Sequence, residues 1–340
     1  MKRYTVFFSL VLAACGTDAP QTQDVAPDAV AEDVAVVSDS QPADAAPLDM
    51  TPPADVAVAE DIQPDTGPTA TSFQLDLGTW SMPPGQETTK CVVKRLGNAS
   101  KVLIDRIQTT LGRGSHHFIV YRSPDTVEKT TPFTCAPFSQ TLGGSTVPLM
   151  ISQTRQETLE LPDGVAFELE ANQMIRLEAH YLNYFPEVID TSATVTFNVA
   201  PTTDTVLADF MFYGNTNVYI PAGQAVTTPW KYYSVPSGAK VFGLTGHTHA
   251  LGTNVEIQRS SNQSTAGQGV YPPSDAPFEW AEAPVAQFSP PLEFGGDGFR
   301  FRCSWMNTTA QDVSFGESAT QEMCFFWAYY YPSQGFILKF

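Results

Sequence analysis

From residue 71 onward, apolar and polar residues alternate in short runs broken by Gly, Pro, Asn and Asp, and no long window repeats its apolar positions at helical spacing. Such runs fall at 101–107, 117–121, 174–183, 193–199, 240–244, 254–258, 298–303 and 322–331. Successive side chains of a strand point to opposite faces, so each run offers an apolar face that another sheet must cover. Short strands at regular spacing with turn residues between them predict an all-β protein of antiparallel, jelly-roll-like β-sandwiches. About 270 residues is room for two such sandwiches in tandem. The polar, proline-bearing stretch 198–206 reads as the crossing between them, which puts the domains at 72–201 and 202–340.

The first 70 residues break the pattern. Residues 1–15 combine Lys2 and Arg3 with a short apolar run from Val6 to Leu12 and end at Leu12-Ala13-Ala14-Cys15. That run is too short to span a bilayer and reads as a processing signal. Its ending resembles a bacterial lipoprotein box, which makes Cys15 the candidate for lipidation and anchors the mature chain to a membrane outside the cytoplasm. Residues 16–71 form the linker. From Gly16 to Ala70 there are twelve acidic residues, eight prolines and no lysine, arginine or aromatic residue. A segment of that composition buries too little apolar surface to offset its chain entropy, so it is expected to be a disordered tether reaching roughly 40 Å. The tether carries minus twelve and the leader plus two, leaving minus eight of the net charge of minus eighteen for the folded part. Nothing in that balance favours nucleic acid.

Four cysteines follow the tether, Cys91, Cys135, Cys303 and Cys324, an even number in an oxidising compartment. Two disulfides are expected. Three pairings are open from the sequence, and the nearest-neighbour one is preferred because each bridge then closes within its own half of the chain.

All five histidines lie in three short motifs: His116 and His117, His180, and His247 with His249. Alternation sends His247 and His249 to the same side of a strand, where they can grip one ion. The adjacent His116 and His117 point to opposite faces of an ideal strand, so acting together they need a bulge or an irregular start, which Gly112 and Gly114 supply. Met323, in Gln321-Glu322-Met323-Cys324, completes the set. Imidazole suits both copper oxidation states and a thioether selects Cu(I), so the donor types point to copper and redox chemistry. If Met323 faces a cleft, Cys324 faces the sandwich interior, where it can meet Cys303 and hold the thioether in place.

Taken together, the motifs resemble those of the copper type II, ascorbate-dependent monooxygenases, which include the peptide-amidating and dopamine-hydroxylating enzymes. The resemblance covers roughly residues 72–340 and rests on His116-His117-Phe118, Leu177-Glu178-Ala179-His180-Tyr181, His247-Thr248-His249-Ala250-Leu251-Gly252, and Glu322-Met323-Cys324 leading to Tyr330-Tyr331-Pro332. It implies one copper per sandwich, two per chain, facing across an open cleft. His116, His117 and His180 would hold an electron-transfer copper. His247, His249 and Met323 would hold the catalytic copper that uses dioxygen to hydroxylate a C–H bond. It also implies ascorbate, or another reductant, as co-substrate, and disulfides Cys91–Cys135 and Cys303–Cys324.

The departures bear on the substrate. The peptide-amidating enzymes carry an arginine two residues before His-x-His, and an asparagine and a tyrosine two and four residues after the methionine. This chain has Thr245, Phe325 and Trp327 there. Peptide amidation is therefore not expected. Phe325 and Trp327 share Met323's face by alternation, and with Thr245 they suggest a pocket for a small aromatic or otherwise apolar substrate. Glu178 stands where a glutamine is usual. The rival reading is a copper-binding lipoprotein that stores, delivers or senses the metal without catalysis.

Overall fold

The computed structural model describes residues 71–143, 146–201 and 204–340. The leader, Cys15 and the linker up to residue 70 lie outside the described residues. Among the described residues no helix is long and apolar enough to cross a membrane.

Nearly every element is a strand. In the first half, one sheet runs Ser72–Met82, Ile189–Val199, Val102–Leu111, Val165–Leu169 and Val206–Leu207, with Gln156–Glu160 also on Val102–Leu111. Its partner runs Lys129–Thr134, Glu87–Arg95, Met174–Leu182, Ser115–Ser123 and Val147–Ser152. The second half repeats the scheme. One sheet runs Ala286–Glu293, Lys240–His247, Phe325–Tyr331, Asp209–Gly214 and Ile337–Lys339, and the other joins Ala225–Thr227 and Lys231–Ser234 to Gly298–Met306, Gly252–Ser260 and Gln268–Tyr271. Among the described strands pairing is antiparallel, save that Val206–Leu207 lies parallel to Val165–Ala166 and Asp209–Gly214 parallel to Ile337–Lys339.

The strand Phe325–Tyr331 shows why the halves pack together. It is apolar at every position, Phe-Phe-Trp-Ala-Tyr-Tyr-Tyr, and a strand with no polar face must be covered on both sides. Phe326, Ala328 and Tyr330 belong to the core inside the second sandwich with Phe299, Phe301 and Trp305. Phe325, Trp327 and Tyr329 belong to a different core, shared with Phe118, Ile119, Leu149 and Ile151 of the first half. The seam between the halves is therefore a packed apolar layer along these strands, where the resemblance implied an open cleft. Close packing of that kind resists sliding, because each side chain lost from register forfeits its contacts.

Both disulfides form between nearest neighbours in sequence, Cys91–Cys135 and Cys303–Cys324. The 322–331 run begins as a strand only at Phe325, with Glu322 in an isolated bridge to Phe315. Alternation still holds ahead of the strand. Met323 packs in the core of the seam and Cys324 in the core of the second sandwich.

Candidate metal centre

Each histidine reaches the seam by a separate local device. The strand Ser115–Ser123 pairs with Met174–Leu182 through an irregularity between Ser115 and His117, and the irregular start turns His116 and His117 toward one place. Gly114, at φ +77°, sets it up. A Cβ there would meet the carbonyl oxygen of Leu182 at 2.9 Å, so only glycine combines that dihedral with that approach. His180 lies directly across from His117 on the neighbouring strand. In the second half the strand Lys240–His247 ends at His247, so His249 belongs to the following turn and not to the same strand face. Glu322 shapes that turn. Its buried carboxylate accepts the backbone N–H of His249 at 2.9 Å, that of Leu251 at 2.8 Å and the indole N–H of Trp305 at 2.8 Å.

The result brings all five imidazoles into one cluster. His116 lies between the others, with ring centroids 5.3 Å from His117, 5.6 Å from His180, 5.2 Å from His247 and 5.4 Å from His249. His117 is 5.1 Å from His180, and His247 is 5.4 Å from His249. The tightest set of donor atoms crosses the seam. His116, His247 and His249 each offer a ring nitrogen within 4.8 Å of the others'. That set spans the sequence-based division into His116, His117 and His180 on one side and His247, His249 and Met323 on the other, while His117 and His180 lie together within the first of those groups. Met323 is buried, and the two residues before it, Gln321 and Glu322, hydrogen-bond the ring and the backbone of His249.

The histidines are almost wholly buried. Both ring nitrogens of His116 and of His117, Nδ1 of His180, and Nε2 of His247 and His249 have no hydrogen-bond partner. A buried polar atom left unpaired costs about 1–3 kcal/mol, so a cluster with this many is stable only if something else takes up the lone pairs. Burial, followed by the neighbouring imidazoles, holds His116, His117 and His247 well below the usual histidine range, and burial lowers His249 to about 4. At neutral pH these rings are neutral, the form that binds a metal ion. Neutral, unpartnered, convergent imidazole nitrogens fit a copper site. A second group, Cys91, Cys135 and Glu178, also lies within ligand distance, but its sulfurs are spent in the disulfide.

The outer hydrogen bonds set which nitrogen faces inward. His249 Nδ1 lies 2.9 Å from the carbonyl oxygen of Gln321, an acceptor only, so Nδ1 carries the proton and Nε2 the lone pair. His180 Nε2 lies 2.9 Å from Glu87 Oε1. Glu87 also accepts the backbone N–H of Ala319 at 2.9 Å and a hydrogen bond from Ser318, so one carboxylate joins His180 of the first half to a loop of the second. The His180 hydrogen bond is the main reason that Glu87 is held down at about 2. Glu178 is buried and accepts the backbone N–H of Phe138 at 2.7 Å, and burial lifts its carboxyl to about 7. It thereby holds Phe138, at φ +53°, with its ring 4.3 Å from His117.

The expected pocket residues sit elsewhere than an opening. Thr245 is 1% exposed, and its hydroxyl donates to the carbonyl of Pro284 at 2.7 Å and accepts from Gln153 at 3.2 Å. Phe325 and Trp327 are fully buried and pack against Phe212 in the seam. The openings beside the histidines flank Tyr184. One, of about 390 Å³, is bordered by His116, Arg113, Arg155, Tyr184, Phe185, Trp280 and Glu282. The other, of about 540 Å³, runs past Glu87, Leu182, Leu251 and Gln321. Trp280 comes from the loop before Ala286–Glu293 and brings its ring to 5.7 Å from His116. Gln153, Glu87, Phe138 and Trp280 carry no local signature in the sequence, because each meets a histidine distant along the chain, and Tyr184 joins them only through the ring of Trp280.

Residues 216–337 match the family described as copper type II ascorbate-dependent monooxygenase, C-terminal domain. That segment contains His247, His249 and Met323. No curated protein matches the chain. Among solved structures the chain is similar to the major capsid protein P2 of bacteriophage PM2, at 9% identity over 76% of this chain and 97% of that one, with a TM-score of 0.33. It is also similar to a protein in the atomic structure of Sulfolobus turreted icosahedral virus, at 10% identity over 75% of this chain and 59% of that one, with a TM-score of 0.22. Likenesses this slight carry no argument.

Proposed function

We propose that this chain is a copper-dependent monooxygenase that hydroxylates a C–H bond of a small aromatic or apolar substrate, using dioxygen and an external reductant such as ascorbate. The observation that carries the reading is the buried cluster of neutral imidazoles with unpartnered nitrogens, drawn from both halves of the chain. The family match over 216–337 supports it independently. His116, His117, His180, His247, His249 and Met323 are the residues to hold copper, two ions per chain in the full complement. Bound copper would supply one-electron redox chemistry and activate dioxygen. The protein's part is to keep the imidazoles neutral, exclude water and present the substrate.

The cavity at His116 is the proposed substrate site in place of Phe325 and Trp327. Trp280, Tyr184 and Phe185 give it flat apolar walls, and it borders an imidazole of the cluster directly. Trp280→Ala should weaken substrate binding while copper loading stays intact. We also propose that Cys15 is lipidated and that the acidic tether holds the domain outside the cytoplasm of a bacterial cell. Incorporation of a labelled fatty acid, lost on Cys15→Ser, tests that placement.

The decisive assay is dioxygen consumption with ascorbate by copper-loaded protein over a panel of aromatic compounds. The expected result is copper-dependent uptake with a product heavier by one oxygen atom, abolished by Met323→Ala. Tight copper binding with no dioxygen uptake on any compound would instead support a carrier or sensor.

A further inference from the structure

Gln153 follows the strand Val147–Ser152 of the first half, and its side chain is directed across the seam into the second. It is 3% exposed. Its amide nitrogen donates to the carbonyl of Gly246 at 2.9 Å and to the hydroxyl of Thr245 at 3.2 Å, and its amide oxygen lies 2.6 Å from Nδ1 of His247. The orientation of an amide is settled by its partners. The Gly246 carbonyl can only accept, so the NH2 must face it and the oxygen must face His247. An oxygen facing Nδ1 requires the proton there. The lone pair is then on Nε2, the nitrogen that has no partner, in a ring whose ligand nitrogen lies within 4.8 Å of those of His116 and His249.

We propose that Gln153 is a positioning residue that fixes the tautomer of His247 from the opposite sandwich, so that this ligand is set for metal only when the two halves are docked. The inference rests on the reading of His247 as a copper ligand. It adds a dependence of one half's ligand on the other half's side chain. His249 needs no such help, because its Nδ1 is held by Gln321 of its own half. The first half thus brings to the set of His116, His247 and His249 a hydrogen bond as well as His116.

Two substitutions separate tautomer control from simple clamping. Gln153→Leu removes the acceptor and the donors together. Gln153→Glu, as a carboxylate, keeps an acceptor facing Nδ1 while losing the amide donors to Gly246 and Thr245. The first readout is the long-range proton–nitrogen NMR spectrum of metal-free, 15N-histidine-labelled protein, which reports the tautomer of each neutral ring. Wild type and Gln153→Glu should show His247 protonated at Nδ1, and Gln153→Leu should show a mixture. The second readout is Cu(I) affinity by competition with a chromogenic chelator. It should fall about 10- to 100-fold in Gln153→Leu and stay near wild type in Gln153→Glu. Equal losses in both variants, or an unchanged His247 tautomer in Gln153→Leu, overturn the proposal. If Gln153→Leu does not fold, the wild-type spectrum decides, since His247 protonated at Nε2 rules the proposal out. A wild-type protein that fails to bind copper sinks the metal reading instead and leaves the tautomer result standing.

Discussion

Removing the bridge behind the thioether separates what a disulfide does for stability from what it does for the site. Cys303 and Cys324 lie 21 residues apart, and Cys91 and Cys135 lie 44 apart. On the chain-entropy account the shorter loop is worth about 3 kcal/mol and the longer about 4 kcal/mol. Replacing Cys303 and Cys324 together by alanine should therefore cost slightly less stability than replacing Cys91 and Cys135, measured by urea denaturation under the same conditions. Sulfur coordination should follow the opposite order. Cys324 adjoins Met323 and packs on the other side of the sheet, so its loss frees the segment that aims the thioether, whereas the other bridge backs the strand of Glu178. X-ray absorption of the Cu(I)-loaded protein reads this directly. The sulfur scattering should weaken in the Cys303→Ala, Cys324→Ala variant and persist when the other bridge is removed. Full sulfur scattering in a variant destabilised by about 3 kcal/mol would refute the idea that the bridge braces the ligand.

Gly214→Ala should destabilise by about 1–3 kcal/mol, since the ring of Phe325 lies against the position a Cβ would occupy, and the loss would show in the denaturation midpoint. The metal-free protein should be most stable near pH 6.5. Below that pH, four imidazoles with depressed values (His116, His117, His247 and His249) refuse protons that the unfolded chain accepts, so stability falls as pH drops. Between 4.5 and about 7, Glu157, Glu178 and Glu322, each lifted to about 7 by burial, keep protons that the unfolded chain releases and oppose that fall. The opposition ends below 4.5, where the loss should steepen and where Glu87, held near 2, adds to it. Above 6.5 the carboxyls act alone and stability declines. Denaturation midpoints from pH 4 to 8 check the shape, and a maximum at pH 8 would contradict it. Copper at a hundred times its dissociation constant should add about 2.7 kcal/mol, or roughly 5–10 °C in melting temperature, reversed by a chelator.

Periodicity made much of this molecule readable, because alternation is a local property of the backbone. It predicted an all-β chain, the opposed directions of Met323 and Cys324, and the irregular strand start that turns His116 and His117 together behind Gly114. It misplaced His249, which lies past the end of its strand, because strand ends depend on which partner residues remain to pair with. Alternation also put Phe325 and Trp327 on Met323's face but could not say what that face meets. Docking of the two sandwiches decided that. It buried those rings in a seam, joined Thr245 to Gln153, and put Trp280 beside His116. The same docking chose Gln153 for His247 across 94 positions and Glu87 for His180 across 93. Side-chain type and spacing determined that the chain carries two histidine pairs, a lone histidine and a soft thioether donor. Only the meeting of two surfaces decided which donors share a site, since contacts between them depend on relative placement and not on neighbours in sequence.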